Sequence, residues 1–134
     1  MKKIVCTVLC VLFVFSLCAC GGDRSEVKTH DVASEIYSKK DIDAAIDTIK
    51  KEMKAQWKGC TLTEIYYAGD DRSKKEQGFA DRNNADEVIV LLSSFDVDSS
   101  GGNGSLNPNS TYNDWCWILV RTNGGQWKHV DHGY

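Results

Sequence analysis

Val88-Ile89-Val90-Leu91-Leu92-Ser93-Ser94-Phe95-Asp96-Val97 is too rich in β-branched residues for a helix, and too continuously apolar for a strand with one wet face. It predicts a central or well-covered β-strand. Trp115 to Arg121 (WCWILVR) predicts a second strand, Asn123-Gly124-Gly125 a tight turn, and Trp127 to Tyr134 a last strand. Residues 98–112 carry Gly, Ser, Asn and the only proline of the chain, and form one long loop in this reading. The result is a three-strand antiparallel meander.

Toward the N-terminus, Cys60 to Ala68 (CTLTEIYYA) is β-branched and aromatic and predicts one more strand. Its faces are ambiguous, because Leu62-Glu64-Tyr66 competes with Thr61-Thr63-Ile65-Tyr67 for the core side. Before it, Ser38-Lys39-Lys40-Asp41 has the form of a capping box. Ile42, Ala45, Ile46, Ile49, Met53 and Trp57 then recur at helical spacing, and Gly59 offers a left-handed stop. A second capping-box pattern, Ser73-Lys74-Lys75-Glu76, predicts a short helix with Phe79 and Ala80 as its apolar residues and Asn83-Asn84 at its end. The expected fold class is α+β. One long amphipathic helix lies on an antiparallel sheet of about four strands, with a second short helix, over residues 37–134.

The start of the chain is of another kind. Lys2 and Lys3 precede an apolar run from Ile4 to Leu17 that is too short to stay as a bilayer anchor, and Leu17-Cys18-Ala19-Cys20-Gly21 follows. This segment resembles the bacterial lipobox. The resemblance implies a signal peptide over residues 1–19 and a diacylglyceryl thioether on Cys20, and two acyl chains hold a protein stably to a membrane. Residues 20–36 hold few apolar side chains and are expected to be a flexible tether. No Asp stands at position 21, so the expected location is the outer face of a Gram-positive cell membrane. Removal of residues 1–19, with two of the sixteen basic residues and none of the nineteen acidic ones, leaves 115 residues of net charge −5. That surface argues against nucleic acid as a partner. Of six cysteines only Cys60 and Cys116 then remain as thiols.

A helix on an antiparallel sheet that ends in Gln126-Trp127-Lys128-His129-Val130-Asp131-His132-Gly133-Tyr134 resembles the nuclear transport factor-like fold, also called ketosteroid-isomerase-like or cystatin-like, a curved, cone-shaped architecture. Residues 86–134 further resemble an uncharacterised domain family of small Gram-positive lipoproteins. That narrower likeness rests on Asp86-Glu87-Val88-Ile89-Val90-Leu91-Leu92, Asp96-Val97-Asp98-Ser99-Ser100-Gly101-Gly102, Leu106-Asn107-Pro108-Asn109-Ser110-Thr111-Tyr112 and Trp117-Ile118-Leu119-Val120-Arg121. The resemblance implies a fold and a location but no activity, since the fold hosts enzymes and binding modules alike.

Three constellations bear on chemistry. Asp96-x-Asp98-x-Ser100-Gly101 copies the opening of a calcium loop, but the twelfth position, where a bidentate Glu belongs, is Asn107. His129 and Asp131 share a face of a regular strand while His132 points to the other, a split that spoils a compact zinc site. Glu64, Tyr66, Tyr67 and His129 are the polar residues available to a cone-shaped pocket. The expectation is a non-catalytic, monomeric binding or accessory domain with no cofactor. Its contact surface for a protein or glycan is the 98–112 loop with Asn107, Asn109, Tyr112, Trp115 and Tyr134, since exposed aromatics beside polar loop atoms suit such contacts. The alternatives are a small-molecule-binding or isomerase-like enzyme using the cone, and a calcium-dependent surface module. The lipobox is testable by itself. Metabolic labelling with a palmitate analogue is expected to mark the wild-type chain and not the Cys20→Ala variant, and equal labelling of both refutes the assignment.

Overall fold

A computed structural model describes residues 26–134; Cys20 and the expected signal peptide lie outside the described residues. Helix α1 (Lys39–Gln56) is followed by β1 (Cys60–Tyr67), two short helices α2 (Asp70–Lys75) and α3 (Gln77–Arg82), then β2 (Glu87–Val97), β3 (Ser110–Arg121) and β4 (Lys128–Gly133). The strands form one antiparallel sheet in the order β1-β2-β3-β4. Among the described residues no helix is long and apolar enough to cross a membrane.

Helix α1 begins as expected. The Ser38 hydroxyl accepts from the Asp41 N–H, and the Asp41 carboxylate accepts from the Ser38 N–H. Its buried stripe of Ala45, Ile46, Ile49 and Met53 packs on one face of the sheet, against Ile65 and Tyr67 of β1, Ile89, Leu91 and Phe95 of β2, and Trp117 and Leu119 of β3. The opposite face, with Val88, Val90, Cys116, Ile118 and Val120, is covered from the α3 side by Ala80 and Phe79. Burial on both faces is the reason the β2 sequence shows no alternation. Ser93 is the polar exception on the α1 face. Its Oγ accepts the Trp117 indole N–H at 2.7 Å, so both buried groups are satisfied. Without that partner a buried N–H costs about 1–3 kcal/mol.

The second helix differs from expectation. Ser73 caps nothing; it lies buried inside α2, and its Oγ accepts the Val90 N–H at 3.1 Å, joining α2 to the sheet. The helix therefore starts earlier, at Asp70, and the chain breaks into two short helices at Glu76. A β-bulge between Leu62 and Glu64 settles the ambiguous faces of β1. Leu62 faces α1 ahead of the bulge, and Ile65 and Tyr67 face it afterwards, so each competing pattern holds over part of the strand. The expected tether is not free over its described part. The Lys28 N–H donates to Thr63 O and Lys28 O accepts from the Ile65 N–H, both at 2.9 Å, while Val27 and Val32 pack on the core. The free edge of β1 is thereby covered where it bulges.

Arg121, its side chain 9 % exposed, ties the other end of the molecule together. Its guanidinium donates to Glu87 at 2.6 Å and to Asp41 at 2.9 Å, and lies 4.3 Å from the Trp127 ring centre. The bond from Arg121 holds the Asp41 carboxyl below its usual range. A depressed carboxyl pKa adds stability that is full above the unfolded value of about 3.9 and is lost as pH falls through the folded value. The wild-type urea midpoint is therefore expected to exceed that of Asp41→Asn at about pH 6, with the gap closing below about pH 4; a gap independent of pH refutes the pairing.

Cys60 stands on β1 and Cys116 on β3, with β2 between them, and both are free thiols. Two strand spacings are roughly 9.6 Å, beyond the reach of a disulfide. Cys60 packs with the α1-side core and Cys116 lies on the opposite face. A protein of residues 26–134, unfolded without reductant, is expected to release two equivalents of thiol; finding none overturns the strand order.

Candidate functional site

The last turn of α1, the start of β1, the β2–β3 connection and the end of β4 meet at one end of the domain. There they enclose a groove of about 500 Å³. Trp57, Trp115 and Leu106 supply its apolar walls, and Gln56, Lys58, Asn103, Ser105 and His132 its polar ones. None of its lining residues is acidic, although the chain as a whole carries nineteen acidic side chains.

The β2–β3 connection is shorter and more ordered than a fifteen-residue loop, because β3 already begins at Ser110. Tyr112 is thus a strand residue rather than a loop residue. Gly101, Gly102, Asn103 and Gly104 all have positive φ, a conformation that favours glycine. A Cβ on Gly101 meets Leu106 O at 2.7 Å, which explains the absence of a side chain there. The turn is closed by Leu106 N–H donating to Gly101 O at 2.9 Å, and its base by Asn109 N–H donating to Asp98 O at 3.0 Å. Leu106 packs on the core and anchors the turn.

Tyr112, Trp115 and Tyr134 do come together. Trp115 meets Tyr112 edge-on at 5.4 Å and Tyr134 at 5.2 Å, and Tyr112 stacks on Phe95 at 5.2 Å. Tyr134 is 80 % exposed and Trp115 buried. The Trp115 indole N–H is buried with no acceptor among the described residues. Asn107 and Asn109 are both exposed; the Asn107 N–H donates to Tyr112 Oη at 3.1 Å, and Asn109 adopts positive φ. The calcium-loop oxygens are turned to local bonds. Asp96 accepts from the Thr111 hydroxyl at 2.6 Å, and Asp98 accepts from the backbone N–H and hydroxyl of Ser100, which lower its pKa.

The expected split of the histidines is overturned by a bulge. The β3–β4 register shifts between Ile118 and Leu119, leaving Val130 as the extra residue. His129 opposite Leu119 and His132 opposite Trp117 therefore share the α1 face, while Asp131 turns outward opposite Ile118. Only the Asp131 carbonyl meets His129, at 3.1 Å from Nε2. Glu52 of α1 reaches His129 Nδ1 at 2.7 Å, and His129 Nε2 lies 3.2 Å from His132 Nδ1. Burial, and then the neighbouring His129, lower the His132 pKa. Burial, with Asp98 beside it, raises the Cys60 pKa, which disfavours a reactive thiolate.

The other expected cone residues do not join this site. Tyr66 pairs with outward-facing Leu92 and lies against His30, which is 3.7 Å from Glu64. Tyr67 points inward but donates to Asp70 at 2.8 Å, and burial pushes its pKa up to about 12. Ile46, Ile49 and Met53 fill the space between α1 and the sheet, so the concavity lies at the helix end. Sequence reasoning missed Glu52, Leu106 and the role of Trp57. Glu52 borders the buried stripe, one position before Met53, and its distant partner leaves no local signal. Comparison with protein-family models, with curated proteins and with solved structures finds no match to the chain.

Proposed function

We propose that this chain is a lipoprotein anchored through Cys20 to the extracytoplasmic face of a Gram-positive cell membrane, and that its domain is a non-catalytic binding or accessory module. In this reading it belongs with small lipoproteins of nuclear transport factor-like fold, α1 being the long helix laid across a curved, cone-shaped sheet. The observation that carries the binding reading is the groove at the end of α1. Concave, partly apolar sites with a few convergent polar groups are the usual form of a contact site. Trp57, Trp115 and Leu106 provide the apolar part, and Asn103, Ser105 and His132 the polar part. The adjoining Tyr112 and exposed Tyr134 extend the aromatic surface toward a protein or glycan partner.

A binding module is favoured over an isomerase-like enzyme by the occupied space under α1. An Asp or Glu base with a facing donor is the pattern such enzymes need, and no carboxylate lines the groove. A calcium-dependent module is disfavoured by the local hydrogen bonds that Asp96 and Asp98 already accept.

Ser105→Trp places a bulky ring in the groove from an exposed turn residue and leaves the core intact. Circular dichroism and the melting temperature are expected to stay near wild type. Recovery of envelope components in a surface pull-down is expected to fall by about tenfold, the loss that about 1.4 kcal/mol of binding energy represents. A folded Ser105→Trp protein that recovers the same components as wild type places the contact surface elsewhere.

A further inference from the structure

The N-terminal segment that covers β1 has a direction, and that direction sets where the chain from Cys20 joins the domain. Lys28 pairs with Glu64 in parallel, its N–H donating to Thr63 O and its carbonyl accepting from the Ile65 N–H. Residues before Lys28 therefore lie toward Cys60, which lines the groove. Glu26, on the Leu62 side of Lys28, comes six positions after Cys20. Six residues reach at most about 21 Å. Leu62 stands opposite Phe95, and β2 leads back over eight residues from Phe95 to Glu87 at the Arg121 end. Those eight residues span about 27 Å. A chain anchored at Cys20 is thus too short to turn the Arg121 end to the bilayer, and long enough to bring the groove end there.

Charge divides along α1 in the same sense. Its first half mixes Lys39 and Lys40 with Asp41, Asp43 and Asp47, whereas Lys50, Lys51 and Lys54 follow and Lys58 comes just past its end. Glu52, the acidic residue among them, is turned to His129 at 2.7 Å. Asp98, beside Gly59, accepts from Ser100 and is outnumbered by these lysines. Lys51, Lys54 and Lys58 are exposed, and Tyr134 at the same end is 80 % exposed. Lysines beside a tyrosine suit a bilayer surface, where the ring sits at headgroup level and ammonium groups are drawn to anionic lipid. We propose that the groove end lies against the anionic phospholipid headgroups of the membrane that holds Cys20, with Lys54 and Lys58 meeting the phosphates and Tyr134 entering the headgroup layer. This rests on the reading of Cys20 as the anchor. The groove then opens close to the bilayer, so its protein or glycan partner is one that lies at the membrane surface.

The full-length protein, purified with its anchor, is incorporated into vesicles of phosphatidylcholine alone, or of phosphatidylcholine and phosphatidylglycerol in equal parts. Flotation with the neutral vesicles reports the anchor by itself, and a chain that stays behind removes the Cys20 reading and this proposal with it. For a chain that floats, amide hydrogen exchange reads the orientation. Peptides covering residues 54–60 and 101–106 are expected to exchange at least about fivefold more slowly on anionic than on neutral vesicles, the gain of one lysine at an anionic leaflet. Residues 121–126 are expected to exchange alike on both. Salt at about 1 M, where charges are screened beyond about 3 Å, is expected to remove the difference. Lys54→Glu combined with Lys58→Glu, both at exposed positions, is expected to remove it too, with an unchanged far-ultraviolet spectrum. Lys74→Glu with Lys75→Glu, on α2, is expected to preserve it. Equal exchange on the two kinds of vesicle overturns the proposal and leaves the anchor standing. So does a difference that survives salt and the change of Lys54 and Lys58, or protection at residues 121–126 instead.

Discussion

Trp57 closes α1 onto the sheet, and the groove end of the domain is arranged around it. Its ring meets Trp117 at 4.9 Å, Phe95 at 5.8 Å, Trp115 at 6.1 Å and His132 at 5.0 Å, all edge-to-face. Aromatic pairs prefer this geometry because the positive edge of one ring meets the negative face of the next. The contacts hold the helix end at a set distance from β2, β3 and β4, and the gap beside the ring, walled by the glycine-rich turn, is the groove. Removal of this ring frees the helix terminus and opens a void where four partners now pack.

Irregularities, more than regular structure, place the polar side chains. The bulge in β1 transfers the buried series from Leu62 to Ile65 and Tyr67 and leaves an edge for the Lys28 segment to cover. A second shift, between Ser93 and Phe95 in the β2–β3 pairing, accompanies the positive φ of Asp114 and sets Tyr112 and Trp115 together at the sheet end. The third, at Val130, gathers both histidines under Glu52. Each adds one residue to one strand, and each reverses the face of everything beyond it.

The opposite end of the molecule is held by charge and stacking. Arg121 is nearly buried, yet its carboxylate partners Glu87 and Asp41 stay partly wet, which limits the cost of desolvating them. Because Asp41 also belongs to the capping box of α1, the same carboxylate joins the start of the helix to the ends of β2 and β3. The Arg121 end and the groove end thus lie at the two termini of one helix.

Regular elements were legible from the chain alone because their signals are local. The α1 stripe, its Ser38–Asp41 cap, the β-branched run of β2 and the Asn123-Gly124-Gly125 turn each encode their geometry within a few residues. The sequence by itself also sets Cys20 behind an apolar run and places the aromatics Tyr112, Trp115 and Tyr134 near the same sheet end. It did not reveal Ser73 as a buried partner of Val90, the attachment of Lys28 to β1, or the shared face of His129 and His132. Those depend on residues at least seventeen positions away, or on a one-residue bulge that alternation cannot foresee. Local propensity determines which segments are helix and strand. Only the packing of α1 on the sheet, and the register of β3 against β4, decide which polar groups meet, because a side chain's face depends on pairing with a distant strand.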